Sequence, residues 1–445
     1  MFLYSVNNFK SRSVKKVIPL PNLATNKRSI KVVVMFQALT NLEDPANPLL
    51  GPTLWGLQTW GMWQPNKGLS RVIYNIIHLL AIIFVLTQYV ELWYIRSNLE
   101  MALRNLSVTM LSTVCVVKAG TFIAWQKYWK NIFENVSMLE KEQKNKRDDI
   151  INRIIKKYTG YSRTVIYFYW CLVTVTVITV ILAPLVIYLS SSKRREEIRN
   201  GTAAYPEIMS SWAPFDKTRG FGYVILVTIH TLICFYGGGI VANYDANAVV
   251  LITFFSGQLE ILKSNCERLF GDGQEQVSYV EAVRRIQDCH QHHVILIKYT
   301  KILNSLLSPV MFLYVIICSF MFCASAVQLT TEGTTSMQQV WIAEYLIALV
   351  VQLFLYCWHS NKVLYMSKTV DEGVYASAWW SQSVSVRRCV LLLSGQLNKT
   401  IRFTAGPFTE LTVATFVAVR FIYMIDYVFI QIADSFTKWK MSGLI

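Results

Sequence analysis

The 445-residue sequence is poor in charge, because only 16% of its residues are Asp, Glu, Lys or Arg. Soluble domains average about 25% charged residues, so the composition argues against an ordinary soluble protein. Hydrophobic residues make up 53% of the chain and gather in runs of about 20 residues, the length that a helix needs to cross a bilayer. The class predicted from composition is an all-α polytopic membrane protein.

The sequence also lacks the motifs of common enzymes and cofactor sites. It contains no G-x-S-x-G, no H-E-x-x-H and no phosphate-binding loop, which are signatures of hydrolases, zinc proteases and nucleotide-binding proteins. Three glycines at 237–239 lie in an apolar run, where close helix packing is the simpler role. Cys289, His290, His292 and His293 form a tight cluster, but zinc sites need two separated ligand pairs. We predict no enzyme, no cofactor and no metal site.

Seven apolar runs are long enough to be membrane spans. They are residues 72–94, 102–124, 164–189, 221–255, 305–328, 340–360 and 408–433.

The distribution of Lys and Arg sets the expected orientation of these spans. Of the 43 basic residues, 31 lie in the N-terminal tail and in the loops after spans 2, 4 and 6, whereas the opposite side holds 10. Cytoplasmic loops carry the excess of basic residues, so the N-terminus is predicted to be cytoplasmic and the C-terminus extracellular. The net charge of +16 reflects this bias and indicates no nucleic-acid partner. None of the nine cysteines falls in an outer loop, and Asn200 is the one Asn-x-Ser/Thr sequon in a long outer loop, so we predict a glycan there.

Span 4 is too long for the bilayer alone. Its apolar pattern continues beyond residue 255 to Phe270, which predicts a helix that extends into the cytoplasm. An apolar surface below the membrane must be buried against other helices, so the pattern predicts a cytoplasmic anchor layer that includes residues 371–397.

Four segments follow from these patterns. Residues 1–70 form a cytoplasmic tail and membrane approach, 71–260 a ligand-binding bundle of spans 1–4, 261–406 spans 5 and 6 with the anchor helices, and 407–445 the last span with a short extracellular tail.

The last span carries an aromatic and charged stripe at helical spacing. Its members are Tyr423, Asp426, Tyr427, Ile430 and Asp434. A charge near mid-membrane costs about 2.5–3.5 kcal/mol and faces water or a partner. Several copies of such a helix can line a pore, with Asp434 as a negative outer ring and Ile430 as an apolar constriction. The alternative is an ion pair of Asp426 with Lys118 or Arg420.

The outer halves of spans 2, 3, 4 and 6 combine aromatic and small polar side chains with apolar surroundings, as ligand pockets do. The candidate ligand-binding residues are Thr176, Thr179, Tyr223, His230, Trp341 and Tyr345.

Several stretches resemble insect odorant receptors, in order and at the spacing of that family. They are SWAPFD (211–216), DANAVVLITFFSGQLEIL (245–262), CHQHHVILIKYTKILNSLLSPVMF (289–312), FLYCWHSNKVLYMS (354–367), VYASAWW (374–380) and FTAGPFTELTVATF (403–416).

The resemblance implies an odorant-gated, non-selective cation channel in the plasma membrane of olfactory neuron dendrites. It implies a ligand-tuned subunit that joins a co-receptor in a heterotetramer, a small volatile ligand in the outer pocket, and cations passing a pore lined by span 7 with its gate at Ile430. One departure from the family is the charged end of the last helix, where Asp426 and Asp434 precede a longer tail.

Three other classes are weaker interpretations. A gustatory-type receptor of the same superfamily shares the last-helix architecture. A G-protein-coupled receptor has the opposite orientation, and the sequence lacks Asp-Arg-Tyr after span 3 and Asn-Pro-x-x-Tyr in span 7. A secondary transporter would be expected to show internal repeats.

Overall fold

The chain folds into long helices that meet around one central helix. The computed structural model describes residues 48–200, 204–218, 220–271, 277–330 and 336–418. The helices, in chain order, are α1 (Gly51–Thr59), α2 (Leu69–Ile95), α3 (Leu99–Ala124), α4 (Gln126–Asn145), α5 (Asp149–Ser190), α6 (Ser192–Arg199), α7 (Gly220–Glu267), α8 (Tyr279–Thr330), α9 (Ser336–Lys368), α10 (Val370–Ala376) and α11 (Val384–Leu397), with a 3-10 turn at Trp379–Ser381 between α10 and α11.

Six of these helices are long and apolar enough to cross a membrane, namely α2, α3, α5, α7, α8 and α9. They coincide with the first six predicted spans, which confirms a polytopic helical membrane protein. In a bilayer every backbone N–H and C=O must be satisfied internally, which a helix does within one segment. The exposed side chains of α2 include Leu69, Ile73, Ile76 and Leu80, as expected for a lipid-facing surface.

Local sequence explains where two of the helices begin. Asn98 caps α3, since its side chain accepts a hydrogen bond from the backbone N–H of Met101. Asp148 caps α5 in the same way, through the N–H groups of Ile150 and Ile151. Each cap satisfies N–H groups that have no partner inside the helix.

The central helix is α7, which runs unbroken for 48 residues. At 1.5 Å per residue it is about 72 Å long, more than twice the thickness of the hydrocarbon core. Every residue from 239 to 259 is buried, so this stretch is enclosed by the other helices. The predicted continuation of span 4 is confirmed.

A glycine allows one of the closest contacts on α7. A Cβ atom at Gly239 would lie 2.1 Å from the Trp60 ring, which follows α1. The absence of a side chain therefore lets the segment before α2 pack directly on the central helix. The close helix packing predicted for the glycine run is seen at Gly238, where a Cβ atom would lie 2.4 Å from Val177 of α5.

The lower layer consists of α10, α11 and the parts of α7 and α8 that contact them. Val370 and Val374 of α10 are buried, and Glu372 accepts a hydrogen bond of 2.6 Å from Lys263 of α7. The predicted packing of residues 371–397 below the apolar part of span 4 is confirmed.

The predicted start of the last span at residue 408 is wrong. Residues Thr404–Ala405 (β1) and Thr409–Glu410 (β2) pair as an antiparallel hairpin, and helical backbone begins at residue 413. Gly406 takes φ +66° in the turn, a conformation that glycine adopts without strain. Ser308 of α8 accepts a hydrogen bond of 2.9 Å from its N–H, so the hairpin is fixed to α8 before the chain turns into the next helix.

Two further details differ from the sequence pattern. The outer segment after span 3 contains a short helix, α6, that hydropathy does not indicate. The predicted segment boundaries at 70/71 and 260/261 fall inside α2 and α7, so continuous helices join those segments.

Candidate ligand site

A buried ion pair lies where α3 meets α7. The Nζ of Lys118 is 2.6 Å from Oδ1 of Asp245, and the two side chains are 0% and 2% exposed. Isolated charges at this depth are costly, so each of these groups neutralises the other.

Asp245 also binds α5 and α9. Its carboxylate accepts hydrogen bonds from the Tyr169 hydroxyl at 2.8 Å, the Gln352 amide at 2.7 Å and the Tyr356 hydroxyl at 2.7 Å. We call Asp245, Lys118, Tyr169, Gln352 and Tyr356 the Asp245 cluster. Four helices thus converge on one carboxylate, whose oxygens have about four lone-pair sites in total, so the acceptor is fully used.

A cavity of about 370 Å³ lies directly against this cluster. Tyr169 and Gln352 belong both to the cluster and to the cavity wall, and we call this end the cavity floor. The wall comes from α2, α3, α5, α7, α8, α9 and the loop 204–218, and most of it is aliphatic. Examples are Val85, Leu111, Val177, Ile233 and Leu349. The volume lies in the range of about 300–1,000 Å³ for small-molecule sites, which are mostly apolar with a few placed polar groups.

The loop 204–218, which we call the outer loop, closes part of the wall through Glu207, Ile208 and Met209. Lys217 fixes this loop, because its Nζ lies 2.9 Å from Glu91 of α2 and 3.0 Å from the backbone oxygen of Ser211.

Burial raises the pKa of the Glu207 carboxyl, and Lys217, 3.7 Å away, lowers it by less. The nearby Glu91 carboxylate adds to the rise. The net pKa lies above the ordinary value for Glu, so this part of the wall gains a proton more readily than a free side chain.

Two of the predicted ligand-binding residues hold the outer loop instead of lining the cavity. The Tyr223 hydroxyl donates to the Pro206 oxygen at 3.0 Å, and its ring stacks on Tyr205 with centroids 5.0 Å apart. The buried His230 lies 2.8 Å, Nε2 to Oγ, from Ser211. Both side chains therefore position the loop that supplies part of the wall.

The other predicted residues are distributed differently. Thr176 lines the cavity, whereas Thr179 is outside the described wall and bonds the Val175 carbonyl of its own helix at 2.9 Å. Trp341 and Tyr345 lie on α9, but their side chains are outside the described part of the structure.

The five predicted pore residues also lie outside the described residues. They are Tyr423, Asp426, Tyr427, Ile430 and Asp434.

Asn200 is exposed just after α6. In the cluster of cysteine and histidines on α8, His292 contacts the Gln258 side chain at 3.1 Å and His293 is 1% exposed, so these two side chains pack inside the protein.

Sequence reasoning missed the Asp245 cluster, although a signal for it was present. Lys118 and Asp245 are opposite charges in two apolar runs, and charges inside a membrane protein pair with one another. The sequence offers Lys118 as a partner of Asp426, whereas its carboxylate partner in the described structure is Asp245. Tyr169 and Gln352 gave no local signal, because their role depends on helices brought together by folding.

Comparisons with known proteins agree on one family. A sequence model of the 7tm odorant receptor family matches residues 98–423. Odorant receptor 82a of Drosophila melanogaster is 24% identical over 353 residues, which is 77% of this chain and 88% of that receptor. Odorant receptor Or2 of Anopheles gambiae is 24% identical over 131 residues, 29% of this chain, and the match spans only 34% of that receptor.

A solved structure shares the fold. The insect olfactory receptor OR5 from Machilis hrabei, in complex with eugenol, superposes with a TM-score of 0.73 at 17% sequence identity. The match covers 87% of this chain and 100% of that chain. At this identity the likeness shows the fold alone.

Proposed function

This chain belongs to the 7tm odorant receptor family, and on that premise we propose that it is the ligand-binding subunit of an odorant-gated, non-selective cation channel. The observation that carries the proposal is the apolar cavity of about 370 Å³ lined by six long helices and the outer loop. A small volatile molecule, mostly apolar with few polar atoms, suits such a wall.

The ligand would lie in this cavity, with Thr176 in the wall and the Asp245 cluster at the floor. Trp341 and Tyr345 remain candidates because of their positions on α9. Trp341 precedes the wall residue Ala348 by two helical turns, and Tyr345 precedes the wall residue Leu349 by one turn. Tyr223 and His230 would act by holding the outer loop in place, whereas Thr179 lies outside the described wall.

The proposed orientation has a cytoplasmic N-terminus, seven spans and an extracellular C-terminus. The distribution of basic residues supports it. The proposed pore is lined by the last span, with Tyr423, Asp426, Tyr427 and Ile430 along it and Asp434 at the outer end. The polar stripe of that sequence and the family resemblance support this assignment.

The proposed partner is the odorant receptor co-receptor, in a heterotetramer. Exposed apolar side chains in the lower layer support an interface between subunits. Leu391 and Leu392 of α11 are 73% and 76% exposed, and Tyr375 of α10 is 78% exposed. Large apolar side chains exposed together mark interaction surfaces, so we assign the lower layer to subunit contacts.

Whole-cell current tests the proposal. Cells would express this chain alone or with the insect co-receptor and receive a panel of odorants while G-protein signalling is blocked. A fast cation current under block, present only with the co-receptor, is the expected result. An absent current from protein that is labelled at the cell surface, across a broad panel, would contradict the channel assignment.

A further inference from the structure

The cavity wall has already used most of its hydroxyl hydrogens. Six of the wall side chains carry a hydroxyl group, and three of these are serine or threonine side chains of α3 and α5. Ser107, Ser112 and Thr176 each donate to a carbonyl oxygen one turn earlier in their own helix, at 3.0, 3.1 and 3.0 Å. These hydroxyls therefore present oxygen lone pairs to the cavity.

The Tyr169 hydroxyl hydrogen and one of the two Gln352 amide hydrogens at the floor are held by a charge. The Tyr169 hydroxyl and the Gln352 amide both donate to Oδ2 of Asp245, at 2.8 and 2.7 Å. Hydrogen bonds to ionised acceptors are about twice as strong as neutral ones. Turning the Tyr169 hydroxyl toward a ligand would remove a donor from a buried carboxylate. The hydroxyl hydrogen therefore stays directed at Asp245.

A second tyrosine of the wall, Tyr236, also donates its hydroxyl hydrogen to a group inside the protein. The Tyr236 oxygen lies 2.6 Å from Nδ1 of His78, and Nε2 of the same ring lies 3.1 Å from the Gly61 carbonyl oxygen. A carbonyl oxygen only accepts, so Nε2 carries the hydrogen and Nδ1 accepts from Tyr236. The phenol oxygen of Tyr236 thus also keeps only acceptor capacity.

Five of the six hydroxyl side chains of the wall are therefore acceptors toward the cavity. We infer that the Tyr169 oxygen makes this cavity favour small apolar ligands that carry a hydrogen-bond donor, namely aliphatic alcohols or phenols, over ethers and aldehydes of equal size. The ligand O–H binds the phenol oxygen of Tyr169, and Asp245 is the positioning residue that keeps this oxygen an acceptor. The inference rests on the proposed location of the ligand in this cavity.

The chemistry of the alternatives follows from the same accounting. An ether or aldehyde oxygen can only accept, and it would meet the acceptor lone pairs of Tyr169 with no hydrogen between them. An alcohol supplies that hydrogen. One net hydrogen bond corresponds to a roughly three- to tenfold difference in affinity.

The test compares n-octanol with its isomer heptyl methyl ether and with octanal. The full chain in lipid nanodiscs is titrated with each compound, and the concentration that gives half of the maximal thermal stabilisation is recorded. The preference is the ratio of the ether value to the octanol value. Partition of a compound into the lipid is the same for wild type and variant, so a change in the preference reports on the protein.

The informative variant is Tyr169→Phe, and its matched control is Tyr167→Phe. Tyr167 lies on the same helix but is exposed and outside the described wall, so the control makes the same chemical change away from the cavity. We expect a preference roughly three- to tenfold larger in wild type than in Tyr169→Phe, and an unchanged preference in Tyr167→Phe. If Tyr169→Phe misfolds, as judged by a size-exclusion profile that differs from that of wild type, the test uses wild type alone. Its preference is then corrected for the partition of each compound into protein-free nanodiscs.

Three results would overturn the inference: equal binding of the alcohol, ether and aldehyde to wild type; an equal loss for all three compounds in Tyr169→Phe; or the same loss of preference in Tyr167→Phe as in Tyr169→Phe. The proposed function fails separately. If octanol binds with the expected preference but no odorant evokes a current, the channel assignment is wrong and the donor rule stands. If odorants evoke currents but none of these compounds stabilises the protein, the donor rule is wrong and the channel assignment stands.

Discussion

Removal of the Asp245 carboxylate should destabilise the protein more than any other change at the cavity floor. The carboxylate accepts from four side chains on three helices, and Lys118 reaches both of its oxygens at 2.6 and 2.9 Å. In Asp245→Asn one oxygen becomes an amide NH₂, which cannot accept and faces donors. The variant also leaves the Lys118 ammonium buried without a counter-charge.

Breaking a buried ion pair by removing one partner costs about 3–5 kcal/mol. Asp245→Asn should lie at the upper end of that range, because Tyr169, Gln352 and Tyr356 also lose their charged acceptor. Lys118→Met should lie at the lower end, because the carboxylate then keeps those three donors. The double variant Lys118→Met with Asp245→Asn removes both charges and should be more stable than the sum of the single losses predicts, by about 1–3 kcal/mol of coupling.

The assay is the apparent melting temperature of the detergent-solubilised protein, followed by fluorescence-detected size exclusion. The single losses correspond to a decrease of roughly 3–5 °C for a chain of this length. The pairing argument is refuted if the double variant loses as much as the two single variants together. A melting temperature of Asp245→Asn equal to that of wild type would likewise show that the carboxylate adds nothing to stability.

Three further predictions concern the packing, the topology and a helix cap. Gly239→Ala places a Cβ 2.1 Å from the Trp60 ring and should cost about 1–3 kcal/mol of stability. Adding Trp60→Leu should partly restore the melting temperature. An unchanged melting temperature in Gly239→Ala would show that the ring moves aside freely. Asn200→Gln should abolish a glycosidase-induced mobility shift seen with wild type, and a shift that persists would place the glycan elsewhere. Asp148→Ala removes the α5 cap and the 2.7 Å bond to Arg268 and should cost about 0.5–2 kcal/mol at neutral pH. Partial burial raises the pKa of Asp148, but Arg268 and the capped N–H groups together lower it by more. The folded-state pKa is therefore below the unfolded one. The stability that Asp148 adds to the wild type should then be complete above about pH 4 and should disappear as the pH falls through the lower folded-state pKa. Melting curves of both proteins from pH 3 to 7 would refute this if the difference in melting temperature stayed constant.

The membrane helices could be predicted from the sequence because apolar length is a local property. The continuation of span 4 was visible for the same reason, since Ala248 to Phe270 stays apolar. The end of the chain was harder. Hydropathy cannot separate an apolar hairpin from the start of a helix, so Phe408 was assigned to a span that begins at residue 413.

The candidate site was less predictable, because its contacts join distant parts of the chain. Lys118 and Asp245 are 127 positions apart, so their opposite charges in two apolar runs indicate that each needs a partner but do not show which partner it meets. Tyr223 and His230 were sensible candidates as polar groups in an apolar bundle. Their partners, Pro206 and Ser211, lie in a loop, and a hydropathy profile does not predict the path of a loop.

The enclosure of α7 restricts how the protein can change shape. Over residues 239–259 the helix has no exposed residue, so bending or displacing it would open voids on one side and overlap atoms on the other, both of which are costly in a close-packed interior. Rearrangement is cheaper at the surfaces between α7 and its neighbours, where helices can slide by small amounts. Such sliding is shear motion, in contrast to rotation about a flexible hinge. We therefore expect distance measurements between spin labels to show α7 as a fixed axis, with ligand-dependent shifts confined to the helices around it.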